Sequence, residues 1–349
     1  MMRRMPMSLA SALAALALAT AAAAAPIPYK DRPALKVRNV AGAVMLGVAK
    51  AGGRLVAVGE RGLVGLSDDG GKTWRQAASV PVDVTLSAVQ FVDARQGWAV
   101  GHAGVILATR DGGEHWTKQL DGLAAARLAE HEAAGSGDAR LAREAARLVA
   151  DGADKPFLAL HFSSPTQGIA VGAYNLIVAT ADGGASWHSW MGRLDNPRGA
   201  HLYAVDADGQ SVYIAGEQGV FFASADGGRS FQRRELPYKG SWFSMARNGD
   251  SLILAGLRGN AYRSPDRGRT WTRLGEAPPV SFVSAAPLQG RSVLLANQSG
   301  QLFVADDRLR PVSLPPVPPV TQVAPLGDGS VLLLTVQGIL RQGATEVYR

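Results

Sequence analysis

Five copies of one short pattern, Ser/Thr-x-Asp-x-Gly-x-x-aromatic, constrain this chain more than any other feature. They are Ser67-Asp-Asp69-Gly-Gly-Lys-Thr-Trp74, Thr109-Arg-Asp111-Gly-Gly-Glu-His-Trp116, Thr180-Ala-Asp182-Gly-Gly-Ala-Ser-Trp187, Ser224-Ala-Asp226-Gly-Gly-Arg-Ser-Phe231 and Ser264-Pro-Asp266-Arg-Gly-Arg-Thr-Trp271. This is the Asp box. Its carboxylate can accept bonds from turn amides, its glycines can take positive φ, and its closing aromatic can wedge between neighbouring units. Asp69, Asp111, Asp182, Asp226 and Asp266 are therefore read as hairpin corners, with their carboxylates used locally and not on calcium or a substrate.

A second repeat runs in step with the first. Seven apolar runs each lead into a four-residue turn and a second apolar run. The turns are Gly59-Glu-Arg-Gly62, Gly101-His-Ala-Gly104, Gly172-Ala-Tyr-Asn175, Gly216-Glu-Gln-Gly219, Gly256-Leu-Arg-Gly259, Asn297-Gln-Ser-Gly300 and Thr335-Val-Gln-Gly338. Their starts lie 42, 71, 44, 40, 41 and 38 residues apart, which is the length of a four-stranded propeller blade in all but one interval. The expected fold is all-β, a seven-bladed β-propeller occupying residues 26–349 as one domain. Inner strands are predicted at Val44 to Ala49, Leu86 to Phe91, Leu158 to Phe162, Leu202 to Val205, Trp242 to Ala246, Phe282 to Ala286 and Thr321 to Ala324. Alternating strand direction then puts every Asp box on one face of the disk, and every Gly-x-x-Gly turn and interblade link on the other. The long interval, residues 121–156, is predicted to be a helical hairpin between blades 2 and 3. Its signals are helix formers over Leu123 to Ala134, a Gly135-Ser-Gly137 break, and Leu141, Ala145, Leu148 and Val149 at helical spacing behind Asp138 as N-cap. The run Ala34 to Val40 alternates weakly, and is expected to add a strand to the seventh blade and so close the ring.

Arg3 and Arg4, the apolar run Leu9 to Ala19 and the small residues Ala21 to Ala25 read as a signal peptide over residues 1–25, with cleavage after Ala23 or Ala24. The expected product is exported, soluble and periplasmic. The chain has no cysteine, which excludes disulfides, thiol nucleophiles and lipoprotein acylation. Six scattered histidines show no metal spacing, so no metal and no cofactor is expected. The +7 charge comes from basic residues spread along the chain, without the clustering that nucleic acid binding needs.

The link face is the irregular one, and it gathers side chains that the repeat does not require. Turn interiors supply Arg61, His102, Tyr174, Glu217 and Arg258. The links supply Trp190, Arg193, Arg198 and His201, followed by Tyr238-Lys239-Gly-Ser-Trp242. Arginine with Trp and Tyr is the composition of protein-binding hot spots. Glu60, Asp154, Asp195 and Glu217 are the carboxyls a glycoside hydrolase could use, but no pair stands out at a defined separation.

The boxes, each preceded by segments such as Val100 to Ile106 and Val171 to Ile177, resemble those of the photosystem II stability and assembly factor family of BNR-type repeat proteins. The resemblance covers roughly residues 40 to 345. It implies a non-enzymatic propeller in the lumen or periplasm that helps a membrane protein complex assemble by binding its soluble loops or tails, and the ring itself is expected to be a monomer. The resemblance also implies an arginine-rich binding surface, matched by location to Arg61, Arg193, Arg198 and Arg258. Relatives in non-photosynthetic bacteria look like envelope proteins serving exporters of the RND type. Sialidase-like or other glycoside hydrolase activity, or glycan binding, is the alternative, since the same boxes occur in such enzymes.

Overall fold

The computed structural model describes residues 28–343, which form seven antiparallel sheets in chain order. Blade 1 is Met45–Ala51, Arg54–Gly59, Val64–Ser67 and Arg75–Gln76 from the axis outwards. The other inner strands are Leu86–Phe91, Phe157–Phe162, Leu202–Asp208, Trp242–Asn248, Phe282–Pro287 and Val320–Pro325. Each agrees with its expected position within a few residues. Second strands such as Gly97–Gly101, Gly168–Gly172 and Ser251–Gly256 are buried along their whole length. Both of their faces pack on neighbouring blades, which is why they read as continuous apolar runs.

The two turn types separate as expected. In every blade the residue after the first turn position donates its amide to the carbonyl that precedes the blade's inner strand: Glu60 to Val44, His102 to Thr85, Ala173 to Pro156, Glu217 to His201, Leu257 to Ser241, Gln298 to Ser281 and Val336 to Pro319. The Asp boxes bond the opposite hairpins, as in Gly112 to Arg95, Gly183 to Thr166 and Gly227 to Gln210.

Within a box the carboxylate is saturated. Asp69 Oδ1 accepts the amides of Lys72 (3.0 Å) and Thr73 (2.9 Å), and its Oδ2 accepts the Thr73 hydroxyl (2.6 Å). Bonds from the side chain and then the backbone of Thr73 hold this carboxyl well below the usual range. Burial would raise Asp266, but the Thr270 and Ser264 bonds outweigh it and bring it to about 2.

The boxes also join blades. Side chains on the preceding blade donate to box carbonyls: Arg54 to Gly112 (3.2 Å), Gln119 to Gly183 (2.9 Å), Arg193 to Gly228 (2.9 Å), Arg234 to Arg267 (2.9 Å) and Arg341 to Gly70 (3.0 Å). Five of the seven seams carry such a bond.

Ring closure differs from the sequence-based expectation. Among the described residues blade 7 has three strands, Val320–Pro325, Val331–Thr335 and Gly338–Gln342, and Ala34 to Val40 joins no ladder. That segment lies along the outside of blade 1. The Ala34 amide donates to Val80 O (3.0 Å), that of Leu35 to Arg61 O (3.2 Å) and that of Val37 to the Gln76 side chain (3.1 Å). Leu35 stays 39% exposed, so the weak alternation does not mark a buried strand face. Closure is made by side chains instead. Thr321 Oγ1 donates to Met45 O (2.6 Å), and Met45, Val48 and Leu55 pack with Leu332 and Leu334 across the seam.

The insertion folds as two helices, α1 (Gly122–Ser136) and α2 (Ala139–Asp151), each N-capped by an aspartate, Asp121 and Asp138. Gly137, at φ 70°, ends α1. Ala125, Ala126 and Ala129 of α1 and Leu141, Ala145 and Leu148 of α2 are buried in one cluster with blades 2 and 3. The signal peptide assigned to residues 1–25 lies outside the described residues.

Candidate functional site

The richest surface on the link face lies where α2 meets blades 3 and 4, and its centre is Tyr174. The third position of the Gly-x-x-Gly turns is left-handed in five blades, at Arg61, Ala103, Tyr174, Gln218 and Arg258, all with φ near 54°. This conformation turns the side chain off the face, and leaves Tyr174 50% exposed. Its amide donates to His201 Nδ1 (2.9 Å), and the two rings meet edge-on at 4.6 Å. Lys155 Nζ stands 5.0 Å from the Tyr174 ring centroid. Burial would lower Lys155, but bonds to Asp154 and Asp151 overcome it and raise its pKa. The His201 amide donates in turn to Glu217 Oε2 (3.2 Å), and exposed Arg198 donates to Gln218 Oε1 (3.3 Å).

The loop that carries Pro197 and Arg198 is held from below by two buried asparagines. Asn196 Nδ2 donates to Asn175 Oδ1 (2.9 Å) and to Ala200 O (2.9 Å), and Asn196 Oδ1 accepts the Ala200 amide (3.0 Å). Asn175 Nδ2 reaches Met191 O (3.3 Å). A buried, fully used amide network of this kind holds one loop shape.

Between this loop and α2 opens a cavity of about 230 Å³, with Leu148, Met191, Pro197 and Tyr174 as apolar lining and Arg147, Lys155 and Arg198 as cations. Arg147 and Lys155 are shared with Asp151 at 3.7 and 3.1 Å, whereas Arg198 has no carboxylate partner among the described residues. The volume is below the ~300–1,000 Å³ of small-molecule sites. It suits a side chain with its stretch of backbone better than a sugar chain.

The structure brings Tyr174, Arg198, His201 and Glu217 together and disperses the rest. His102 and Arg258 are exposed on the turns of blades 2 and 5. Arg61 is held in a two-pronged pair by Asp83, with both contacts at 3.0 Å, and Arg32 shares that carboxylate. Trp190 and Arg193 turn toward the Asp-box side of blade 4. The Arg193 guanidinium lies 4.5 Å from the Trp190 ring centroid and donates to Gly228 O, and Trp190 lines a separate cavity of about 300 Å³ with His161, Asp226 and Arg229. Trp242 is 0% exposed and packs edge-on against Tyr238 and Tyr262, at 5.5 and 5.6 Å. A side chain with no surface makes no partner contact, so Trp242 leaves the candidate set and belongs to the seam between blades 4 and 5. The reason is its place as first residue of an inner strand, where the six other blades also bury a large apolar side chain, such as Met45, Leu86 or Phe282.

Lys155, Arg147, Asn175 and Asn196 were not singled out from the sequence. Asn175 did carry a signal, since it alone replaces the glycine that ends every other turn. None of Glu60, Asp154, Asp195 and Glu217 lines the cavity beside α2. Glu144 and Asp151, which do, are paired with Arg140 and Lys155.

Against known proteins, the chain matches the family described as photosynthesis system II assembly factor YCF48 over residues 69–133 and 141–282, more than half of its length. It belongs to the YCF48 family. The family match runs into both α1 and α2 and is interrupted over residues 134–140, the end of α1, the turn and the start of α2. The curated photosystem II assembly lipoprotein Ycf48 of Synechococcus sp. (strain CC9902) is 35% identical over 82 residues, which is 24% of this chain and 25% of that relative. The aligned stretch thus spans about a quarter of the relative's length. The solved structure of YCF48 bound to D1 peptide superposes with a TM-score of 0.60 at 17% identity, covering 92% of this chain and 99% of the other. The GH74 xyloglucanase from Xanthomonas campestris superposes equally well (TM-score 0.62, 14% identity, 89% of this chain and 54% of the other). At such identities the likeness is one of fold, and a YCF48 and a glycoside hydrolase share it equally.

Proposed function

We propose that this YCF48-family chain is a non-enzymatic assembly factor that holds an extended segment of a membrane protein in the cavity between α2 and the Trp190–His201 loop. The observation that carries this reading is the prearranged set of Tyr174, His201, Arg198 and Lys155 around a small apolar cavity, with its loop already held by Asn175 and Asn196. A surface ordered before binding loses little entropy on binding, and Tyr and Arg supply contact area with directional donors. The YCF48 solved with D1 peptide supports a peptide as the ligand class. The partner in this reading is a membrane complex presenting soluble loops or tails in the periplasm, a photosystem in a photosynthetic host or an RND-type exporter in another. No described helix is long and apolar enough to cross a membrane. Glycoside hydrolysis is disfavoured by the small cavity and by the pairing of its carboxylates.

The test is crosslinking in the native envelope, followed by affinity capture and identification of the captured complex. A Tyr174→Ala/Arg198→Ala variant should lose the captured complex, with affinity for its peptide falling about 30-fold or more, as hot-spot truncation of at least ~2 kcal/mol implies. Undiminished capture by that variant places the binding surface elsewhere. Turnover of a β-glucan would overturn the non-enzymatic reading.

A further inference from the structure

Basic residues without a carboxylate partner are unevenly placed among the described residues. Residues 226–273, which run from the Asp box of blade 4 through that of blade 5, carry ten arginine and lysine residues against four carboxylates, with two of the ten, Lys239 and Arg258, on the link face. On the Asp-box side of blades 1 and 2 two arginines are neutralised, Arg54 by Asp68 (2.6 Å) and Glu114 (3.1 Å) and Arg75 by Glu114 and by Asp68 (3.6 Å), while Lys72, Arg95 and Arg110 are exposed without an ion pair among the described residues. In blades 4 and 5 three arginines are unpaired. Arg229 follows the glycines of one box, Arg269 follows the glycine of the next, and Arg233 lies in the outer strand Gln232–Arg233. All three are exposed, and none forms an ion pair among the described residues. The bond from Arg234 to Arg267 O (2.9 Å) sets the outer strand of blade 4 beside the box of blade 5, so these cations stand on adjoining corners. Arg267 and Arg273 flank them, each with one carboxylate partner, Asp250 at 2.8 Å and Glu276 at 2.7 Å.

The exposed residues between these arginines are polar, among them Ser230, Gln232, Thr270 and Thr272. A protein-docking hot spot needs an apolar centre that loses its water, and here the two aromatics among the arginines, Phe231 and Trp271, are only partly exposed. Guanidinium forks on stiff turns with polar filling match a partner that is flat, diffuse and rich in phosphate. Asp226 and Asp266 stay ionised in their turns, but their oxygens are bonded to the hydroxyls and amides of those turns and form no ion pair with the three arginines among the described residues.

We propose that the Asp-box side of blades 4 and 5 docks on the surface of an anionic phospholipid bilayer. Asp boxes and Gly-x-x-Gly turns occupy opposite ends of the strands, so a ring seated this way keeps the cavity beside α2 turned to the aqueous side. The charge argument does not depend on what that cavity binds.

The test is sedimentation of the mature protein with vesicles of equal parts phosphatidylglycerol and phosphatidylcholine, and with phosphatidylcholine alone. The expected result is binding to the anionic vesicles only, weakened by salt as screening shortens. Each exposed arginine contributes about fivefold, so an Arg229→Gln/Arg233→Gln/Arg269→Gln variant should bind about a hundredfold more weakly. Its circular dichroism should match the parent's, since all three side chains lie on the surface, and a Tyr174→Ala variant should bind vesicles like the parent. Failure of the parent to sediment with anionic vesicles at low salt overturns the proposal. So does equal binding by the triple variant, or capture of polyglutamate in place of vesicles.

Discussion

Replacing Gly216 by alanine should destabilise the ring far more than replacing Gly209 in the same blade, although only Gly209 has positive φ. Gly216 opens the turn of blade 4 in an extended conformation, with φ −165°, that any residue can adopt. The constraint is contact: a Cβ there would stand 2.1 Å from His201 O and 3.1 Å from Leu202 Cα. His201 O is the acceptor for the Glu217 amide at 2.8 Å, so relief means moving the backbone that this bond holds. Losing a buried backbone bond costs about 1–3 kcal/mol and overpacking a further 1–3 kcal/mol. The expected total is about 2–6 kcal/mol. At Gly209 the Cβ meets nothing within 4 Å, and the left-handed conformation (φ 57°) alone costs about 1–2 kcal/mol. Urea unfolding of both variants measures the difference. Equal destabilisation, or a milder effect at Gly216, refutes the argument that close approach demands the first glycine. The same geometry recurs at Gly59, Gly101, Gly172 and Gly256, where the carbonyl lies 2.1–2.2 Å from the built Cβ.

Two further outcomes follow from the burial and the boxes. Trp242→Ala should lower unfolding free energy by about 3–5 kcal/mol while the folded protein keeps its peptide affinity, read by denaturant titration and fluorescence anisotropy; an affinity loss without a stability loss would return Trp242 to the binding face. Acid should weaken the ring through its boxes. Their carboxyls titrate lower in the folded chain than the ordinary value near 4, Asp266 at about 2, so their contribution is complete above pH ~4 and is lost as pH falls toward 2. Thermal midpoints should be level in this respect from pH 7 to 5 and drop below 4, and Asp266→Asn should flatten part of that drop.

The fold was legible because its punctuation is covalently local. Each box and each Gly-x-x-Gly turn is specified by residues within eight positions, and the recurrence of five boxes in step with seven turns leaves little choice of architecture. The helix pair was legible for the same reason, through Asp138, Gly137 and the spacing of Leu141, Ala145 and Leu148. The site was read only in part. Tyr174, Arg198 and His201 stood out by type and by departure from the repeat. Lys155 and Arg147 sit at ordinary helical and loop positions, and their meeting with Tyr174 depends on how α2 lies on the ring. Trp242 misled because composition cannot say which way a strand residue faces, and Arg193 because its guanidinium is used up on Gly228 O. The strand expected from Ala34 to Val40 failed for a related reason: alternation of two or three residues is too short to distinguish a ladder from a strap.

The seam between blades 7 and 1 gives this ring a joint that propellers with a shared closing strand do not have. No sheet here is woven from two distant parts of the described chain, so each blade is built from one continuous stretch, and the last contact around the circle is made by side chains that pack on one another and reach main-chain carbonyls across the seam. A gene coding for such a ring can gain or lose a whole module at that joint, or be rejoined so that the series starts at another blade, without cutting a single ladder.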